Sequence, residues 1–451
     1  MSTTRRRPAA VREAAALETT AWEVELDRWL APFVDALGDA RRQPWLPVYG
    51  RGLLSRSERK SLSPLAEHVA AQMPATTPHR PRYHHLQQFI TYSPWDPEPL
   101  RRILAQRADA MLGGPAAVLI VDDTALRKQG QHSVGVAQQY CGDVGKLANC
   151  QCLVSLTLAL GDVPLPLALR LYRPAEWTDD PERCDAAGIP LAARGHRTKI
   201  VLALHEIAWA RAAGVRFGLV AADAAYGTSA EFRQGVAAMG YRYAVGVQSH
   251  ARVDPVDAII VYPTRPTRAR QAPPRQYTRP RRVAEAPADP TTYPIGRLRV
   301  RPVASEPSHT VAALLRGAHW QTVRWRDGTK GPLQGQWTAV RGRVADGEEG
   351  AQREHMPGEI VWLVGEQQPD GKRRYYFTNH PARWSLRKLV AAIRSRWVCE
   401  QAHLQLKQEL GLDHFEGRSW RGLEHHTLLT MLSFAFLQHV RLQTRRRQKK
   451  N

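Results

Sequence analysis

An α/β fold, preceded by a helical region and interrupted by a β-rich insertion, is what this 451-residue sequence predicts. Three observations carry that expectation. Apolar residues recur at helical spacing through the first quarter of the chain. Short buried runs ending in acid then alternate with amphipathic segments. A Pro- and Arg-rich stretch follows, opening a series of strand-like pieces before helices resume.

In order along the chain, residues 1–112 read as helical, through "AWEVELDRWLAPFVDAL" and "RYHHLQQFITYSPWDPEPLRRILAQRADAML". Arg80, Arg82, His84 and His85 stand beside Tyr83 and Phe89. That mixture suits a helical DNA-binding region docking on phosphates, or a plain helical cap on the core. Residues 113–250 change texture. "AAVLIVDDT" is a short strand of branched residues, and "NCQCLVSLTLALG" and "VPLPLALRLY" add two more in hairpin style. "RTKIVLALHEIAWARAAG" is a helix, "VRFGLVAADAAYG" a strand ending in acid, and "SAEFRQGVAAMG" and "YRYAVGVQ" a helix and a strand. Three strands, helix, strand, helix, strand describe a mixed layer with an antiparallel edge.

Residues 251–382 read as a basic linker and a β-rich insertion. "YPTRPTRARQAPPRQYTRPRRVAEAP", which contains Arg281 and Arg282, has no hydrophobic period. "HWQTVRWRDGT", "GQWTAVRGRVA", "GEIVWLVGEQ" and "RRYYFTNHP" are strand-like, with Asp-Gly turn signals at 327–328 and 370–371. Residues 383–440 return to helix, and 441–451 form a basic tail.

Composition narrows the partners. Lys and Arg number 64 against 42 Asp and Glu, for a net charge of +22, which attracts polyanions, nucleic acid foremost. Hydrophobic content of 43% with 13 tryptophans allows a sizeable core. The most apolar run, "CLVSLTLALGDVPLPLALRLY", is broken by Gly161, Asp162, Pro164 and Pro166, so no membrane span is expected. "MSTTRRRPAAVREAAALE" lacks the apolar block of a secretory signal. Cysteines at 141, 150, 152, 184 and 399 include no CxxC pair. They are expected as buried thiols in a reducing cytoplasm, not as a zinc site or disulfide framework.

Chemistry concentrates at acids. Asp122 and Asp123 close one strand and Asp223 another, at the sheet edge where α/β folds place ligands. Any of them can instead be a turn or N-cap residue. In "RWVCEQAHLQLKQELGLDHFEGRS", Arg396, Glu400, His403 and Lys407 share one side of an expected helix. A solvated, ion-paired face is the plain alternative, and for His403 a packing role is preferred. Acids delivered by separate elements repel one another unless a cation relieves them, and a pair of Mg²⁺ ions, which prefer oxygen ligands, does so.

These motifs together resemble a DDE transposase of the insertion-sequence class. Relatives carry a helix motif of Tyr, two residues, Arg, three residues, Glu, six residues, Lys. Arg396, Glu400 and Lys407 fit that spacing, and Ile393 replaces the tyrosine. "VDDT" resembles the first-strand signature in which the acid before threonine is the ligand, favouring Asp123 over Asp122, and "ADAAYG" resembles the second, giving Asp223. "DDTALRKQGQHSVGVAQQYCGDVGKLANCQ" also resembles one subgroup. The resemblance covers about Val118 to Gln438. It implies an RNase H-like core with a β-rich insertion between Asp223 and Glu400. It also implies Asp123, Asp223 and Glu400 as catalytic ligands of two Mg²⁺ ions, with Mn²⁺ as substitute. Arg396, Lys407, Arg281 and Arg282 would contact DNA, and Trp325 or Trp337 would stack on an extruded base. The partners implied are the element's terminal inverted repeats, target DNA and a second copy of the chain, in a nucleoid-associated cytoplasmic protein. A nuclease that cuts without joining and a domesticated DNA-binding derivative are the alternatives.

Overall fold

Apolar residues spaced along the first helix decide what it covers. α1 (Ala9–Ala36) buries Leu26, Trp29, Leu30 and Phe33, and Arg107 lays its guanidinium 4.2 Å from the Trp29 ring centroid. The computed structural model describes residues 9–263, 280–282, 301–328, 331–347 and 356–448, with side chains described from residue 22 and not over 260–303. Contacts divide the chain into two units, residues 1–218 with 397–451, and residues 219–396.

In the first unit α1 is followed by α2 (Trp45–Leu54), α3 (Leu62–Ala71), α4 (Tyr83–Gln87) and α5 (Pro97–Leu112). α5 starts where it does because Asp96 accepts a hydrogen bond from the Glu98 amide (2.9 Å) and Pro97 occupies the first helical position. Its Leu100, Leu104, Ala108 and Leu112 then face the core. Four strands follow: β1 (Val118–Arg127), β2 (Ala137–Cys141), β3 (Lys146–Leu160) and β4 (Val163–Tyr172). β3 pairs antiparallel with β1 over its length, with β2 near Cys150 and with β4 beyond it. Gly161, at φ +63°, opens the two-residue turn between β3 and β4. Pro164 and Pro166 are tolerated in β4 because that strand pairs with β3 alone. α6 (Ala175–Thr178), α7 (Pro181–Ala186) and α8 (Lys199–Ala212) come next, α8 capped by Thr198.

The second unit holds β5 (Leu219–Ala222), α9 (Ala224–Gly227), α10 (Ala230–Ala238) and β6 (Arg242–Val247). Then come β7 (Arg252–Asp254), β8 (Ile259–Pro263), β9 (Pro280–Arg282), β10 (Arg301–Val303), β11 (His309–Thr310) and α11 (Val311–Leu314). β12 (Gln321–Gly328), β13 (Gly331–Val344), β14 (Ile360–Gln367), β15 (Arg373–Thr378) and α12 (Leu386–Arg394) complete it. β5 and β6 are parallel, and the sheet continues antiparallel through β15, β14, β13, β7 and β11, with β12 also on β13. Strands β8, β9 and β10 form a separate small sheet.

The chain returns to the first unit with α13 (Trp397–Gln408) and α14 (Trp420–Gln448). α14 buries nearly every residue from Gly422 to Phe436. Arg441 and Arg445 anchor its far end on Asp162 of the β3–β4 turn, at 2.6 and 2.7 Å. None of the described helices is long and apolar enough to cross a membrane.

The architecture is mixed α/β, with four departures from the expectation. β1 runs on to Arg127, so Asp122 and Asp123 stand mid-strand and do not close it. β2, a short and partly polar strand, joins the antiparallel layer. The strands expected as an insertion share one hydrogen-bonded sheet with β5 and β6, because β15 adds edge-on to β6 with Tyr375 opposite Val247. The helix expected from Arg396 through Lys407 begins only at Trp397, and the chain turns at residues 395–396. There the Ser395 hydroxyl donates to the Ala392 carbonyl (2.6 Å) and ties off α12.

Candidate active site

β1 presents two consecutive carboxylates, and because strand side chains alternate, they leave on opposite faces. Asp122 lies opposite Ser155, with α13 on its side. It is 8% exposed, and its carboxylate, the Cys399 thiol and the His403 imidazole have donor atoms within 4.8 Å of one another. Asp122 Oδ1 accepts from the Asp123 amide (3.0 Å). His403 Nε2 meets Ser155 Oγ at 2.9 Å, and Cys399 Sγ lies 3.5 Å from Thr157 Oγ1. This face is buried and hydrogen-bonded within itself, as preferred for His403.

Asp123 points the other way. Its Oδ2 accepts from Lys199 Nζ at 2.6 Å, with the two side chains 29% and 31% exposed. Lys199 also sits 5.4 Å from the Tyr172 ring centroid. Burial opposes its charge, but the Asp123 carboxylate outweighs burial and holds the ammonium above its ordinary pKa. Cys152, opposite Ala125 on β3, is pushed up to about 12, first by burial and then by Asp123. All five cysteines are buried thiols.

Glu400 stands exposed in the first turn of α13, where the helix dipole favours an acid. Lys407, expected beside it for phosphate contact, is 9% exposed and donates to Asp143 Oδ2 (2.6 Å) in the β2–β3 turn. Arg396 belongs to the turn before α13, so Arg396, Glu400 and Lys407 do not share one continuous helix, a correction to the expected stripe.

In the second unit Asp223 closes the fully buried β5 and caps α9, accepting from the amides of Ala225 (2.9 Å) and Tyr226 (3.3 Å). A side chain could not replace hydrogen at Gly227 or Gly246. A Cβ on Gly227 would fall 2.0 Å from the Gly246 carbonyl oxygen, and one on Gly246 would fall 2.9 Å from the Ala224 amide. This close approach of α9 to β6 fixes where the half-buried Asp223 is presented.

Of the two tryptophans expected to meet a base, Trp337 is fully buried, and a base has no face of it to stack on. Its burial follows from its inward position on β13 against Tyr376 and Trp325. Trp325, half-buried on β12, meets it edge-on at 5.9 Å. The sequence reading missed Arg394, whose guanidinium lies 4.8 Å from the Trp325 ring and 5.3 Å from the Trp337 ring while pairing with the buried Glu366. An Arg near the end of an amphipathic helix gives no sequence signal for such a role. Arg281 and Arg282 stand on β9, with their side chains outside the described residues.

The donor chemistry sorts into two sets. Asp123, Glu400 and Asp223 offer carboxylate oxygens that are at least partly exposed, the type hard divalent cations select. Asp122, Cys399 and His403 offer a mixed, softer set, in which Thr157 already engages Cys399 and Ser155 engages His403.

A family model described as DDE superfamily endonuclease matches residues 32–332, more than half of the chain. The match takes in Asp123 and Asp223 and ends before Glu400. A curated relative, a probable transposase for insertion sequence element IS701 from Microchaete diplosiphon, is 28% identical over 204 residues. That alignment covers 45% of this chain and 48% of the relative, so the chain spans about half the length of the protein it matches. Among solved structures, a piggyBac transposase synaptic complex with hairpin DNA overlaps 87% of this chain and 64% of its own. Its TM-score of 0.39 at 10% identity is too loose to carry an argument.

Proposed function

Because the chain belongs to the DDE superfamily endonuclease family, we propose that it is a DNA transposase. In this reading it cuts at the ends of its own mobile element and joins them to target DNA. The family match over residues 32–332 carries the reading, and the net charge of +22 suits a DNA partner.

The catalytic layer is proposed to be RNase H-like, with Asp123, Asp223 and Glu400 holding two Mg²⁺ ions that Mn²⁺ can replace. Bound there, the ions supply Lewis acidity at the scissile phosphate and at the attacking oxygen. The protein's own groups do the rest. Asp123 gives up Lys199, whose ammonium is then free for a phosphate oxygen, and Lys407 exchanges Asp143 for DNA in the same way. Arg396 and the arginines at 281 and 282 meet the backbone. Trp325, the less buried tryptophan of its pair, stacks on an extruded base. The helical region 1–112 docks on DNA through the exposed Arg80, Arg82, Tyr83 and His84. Residues 251–382 keep their proposed role as insertion, and the basic end 441–451, which up to Gln448 continues α14, is proposed to meet the phosphate backbone. Two copies hold two ends, in a nucleoid-associated cytoplasmic protein.

A specific observation favours a second assignment of the first acid: Asp122 is the β1 carboxylate on the α13 side, and α13 carries Glu400. Asp123 is retained for its greater exposure.

The test is product analysis on a plasmid bearing matched inverted ends with Mg²⁺. Strand-transfer products are expected. Cleavage without joining would leave the nuclease reading, and binding without cleavage the domesticated one. Glu400→Gln is expected to lower cleavage by about 10³-fold or more while DNA binding persists. Unchanged cutting by that variant sinks the role given to Glu400.

A further inference from the structure

We propose that the first unit carries a built phosphate site, apart from the acids, in the cavity between β4, α8 and the start of α14. The cavity measures about 180 Å³ and is lined by Arg170, Arg173, Arg197, Glu206, Trp420 and Glu424, with leucines from β3, β4, α8 and α14. Arg173 sets it apart. The residue is 6% exposed, and its Nε and Nη1 are buried without a hydrogen-bond partner among the described residues. Its remaining nitrogen makes one long bond to the Gly195 carbonyl (3.4 Å), and its guanidinium lies 5.2 Å from the Trp420 ring centroid. A guanidinium has five donors in a planar fork, and leaving them unpaired in a buried place is costly unless an acceptor arrives.

Glu424 acts on that cation through its charge, without a hydrogen bond to it among the described residues, and the acids of the wall are already shared with other arginines. Arg170 already holds Glu206 (2.7 Å) and reaches Glu424 (3.4 Å), and Arg101 takes the other oxygen of Glu206 (2.6 Å). Arg173 and, at the exposed rim, Arg197 are left over. α14, a helix of 29 residues, begins at Trp420 in the same wall, so its amide end adds to the positive field. Two guanidinium groups, a helix start and room well beyond a halide ion suit a tetrahedral oxyanion with several acceptor oxygens, a phosphate group. The group can be a free phosphate or one phosphate of a DNA strand. Only the latter source rests on the transposase reading.

The full chain is heated with inorganic phosphate and, separately, with chloride at matched ionic strength. A saturable rise of the melting midpoint with phosphate alone is expected. Arg173→Met is expected to abolish that rise and to raise the midpoint of the ligand-free protein, since it removes a buried cation whose Nε and Nη1 lack hydrogen-bond partners. An arginine present only for packing would lower the midpoint on replacement. Arg197→Gln, at the exposed rim and safe for folding, is expected to weaken phosphate binding about tenfold. Duplex binding across a salt series separates the sources. If a strand phosphate is the ligand, Arg197→Gln lowers the salt slope by about 1 and inorganic phosphate competes with DNA. If free phosphate is the ligand, duplex binding is unchanged while the phosphate response falls. No phosphate-specific rise in the parent chain, or a full rise in Arg173→Met, overturns the proposal.

Discussion

The two faces of the β1–β3 sheet treat like groups in opposite ways. Toward α13, Asp122 shares a buried cluster with Cys399, His403, Ser155 and Thr157, bonded through hydroxyls, a thiol and an imidazole. Toward α8, Asp123 pairs with the ammonium of Lys199 and its side chain is 29% exposed. One residue of separation and the strand's period of two produce this difference. The second unit repeats it with tryptophans: Trp337 is buried, and Trp325, only half-buried, meets it edge-on. In both places neighbouring residues of one type divide into a member that packs and a member that a ligand can reach. The reachable member is the one to which chemistry is assigned here.

The largest effects expected are on cleavage. Asp123→Asn should cost about 10³-fold or more in end cleavage, while Asp122→Asn, which keeps shape and hydrogen-bonding capacity, should stay within about tenfold. Rates from the two variants side by side decide which face of β1 is catalytic, and the reverse order would move the first acid to the α13 face. For the tryptophans the expected order is in stability. Trp337→Ala should lower unfolding free energy by about 3–5 kcal/mol and Trp325→Ala by well under half of that, read from urea midpoints. Equal losses would erase the distinction between the packed and the reachable ring.

Much of this division was open to a reader of the sequence. The branched run ahead of Asp122 and Asp123 marks a buried strand, and alternation alone puts the two acids on opposite faces. Which face matters was not legible, since that depends on where α8 and α13 pack. The turn at 395–396 was also hidden. It contains neither Pro nor Gly, and a serine hydroxyl competing for a helix carbonyl leaves no periodicity signal. The Lys407–Asp143 and Arg394–Glu366 pairs join residues far apart in the chain, so spacing could not announce them. Arg173 is a lone basic residue after a strand, and only its burial without partners makes it informative.

A pH series probes the same contrast between neutral and charged interiors. His426, on α14, meets the Tyr49 hydroxyl at Nδ1 (2.8 Å) and donates from Nε2 to the carbonyls of Gly411 and Leu412 (3.2 Å each). Burial favours the neutral ring and holds the imidazole down to about 4. Above its ordinary value near 6.5 the group contributes no pH dependence. As pH falls from there toward 4, the unfolded chain takes up a proton that the native state refuses. Up to about 3 kcal/mol is expected to be lost across that window. His426→Gln should flatten the acid limb of a midpoint-against-pH curve, and an unchanged limb would place the acid sensitivity elsewhere.

The smallest effect belongs to the charged face, and its sign is opposite. The pKa of Lys199 is raised in the folded protein, so its contribution is complete below the ordinary lysine value near 10.5. It is lost as pH climbs through the raised folded value. With both partners about one-third exposed, solvent screens the pair, and Lys199→Met should cost about 1 kcal/mol or less at pH 8. The difference in midpoint between parent and variant should hold steady through neutral pH and shrink only in strong alkali. A difference that instead shrinks toward acid would overturn the role given to the ammonium.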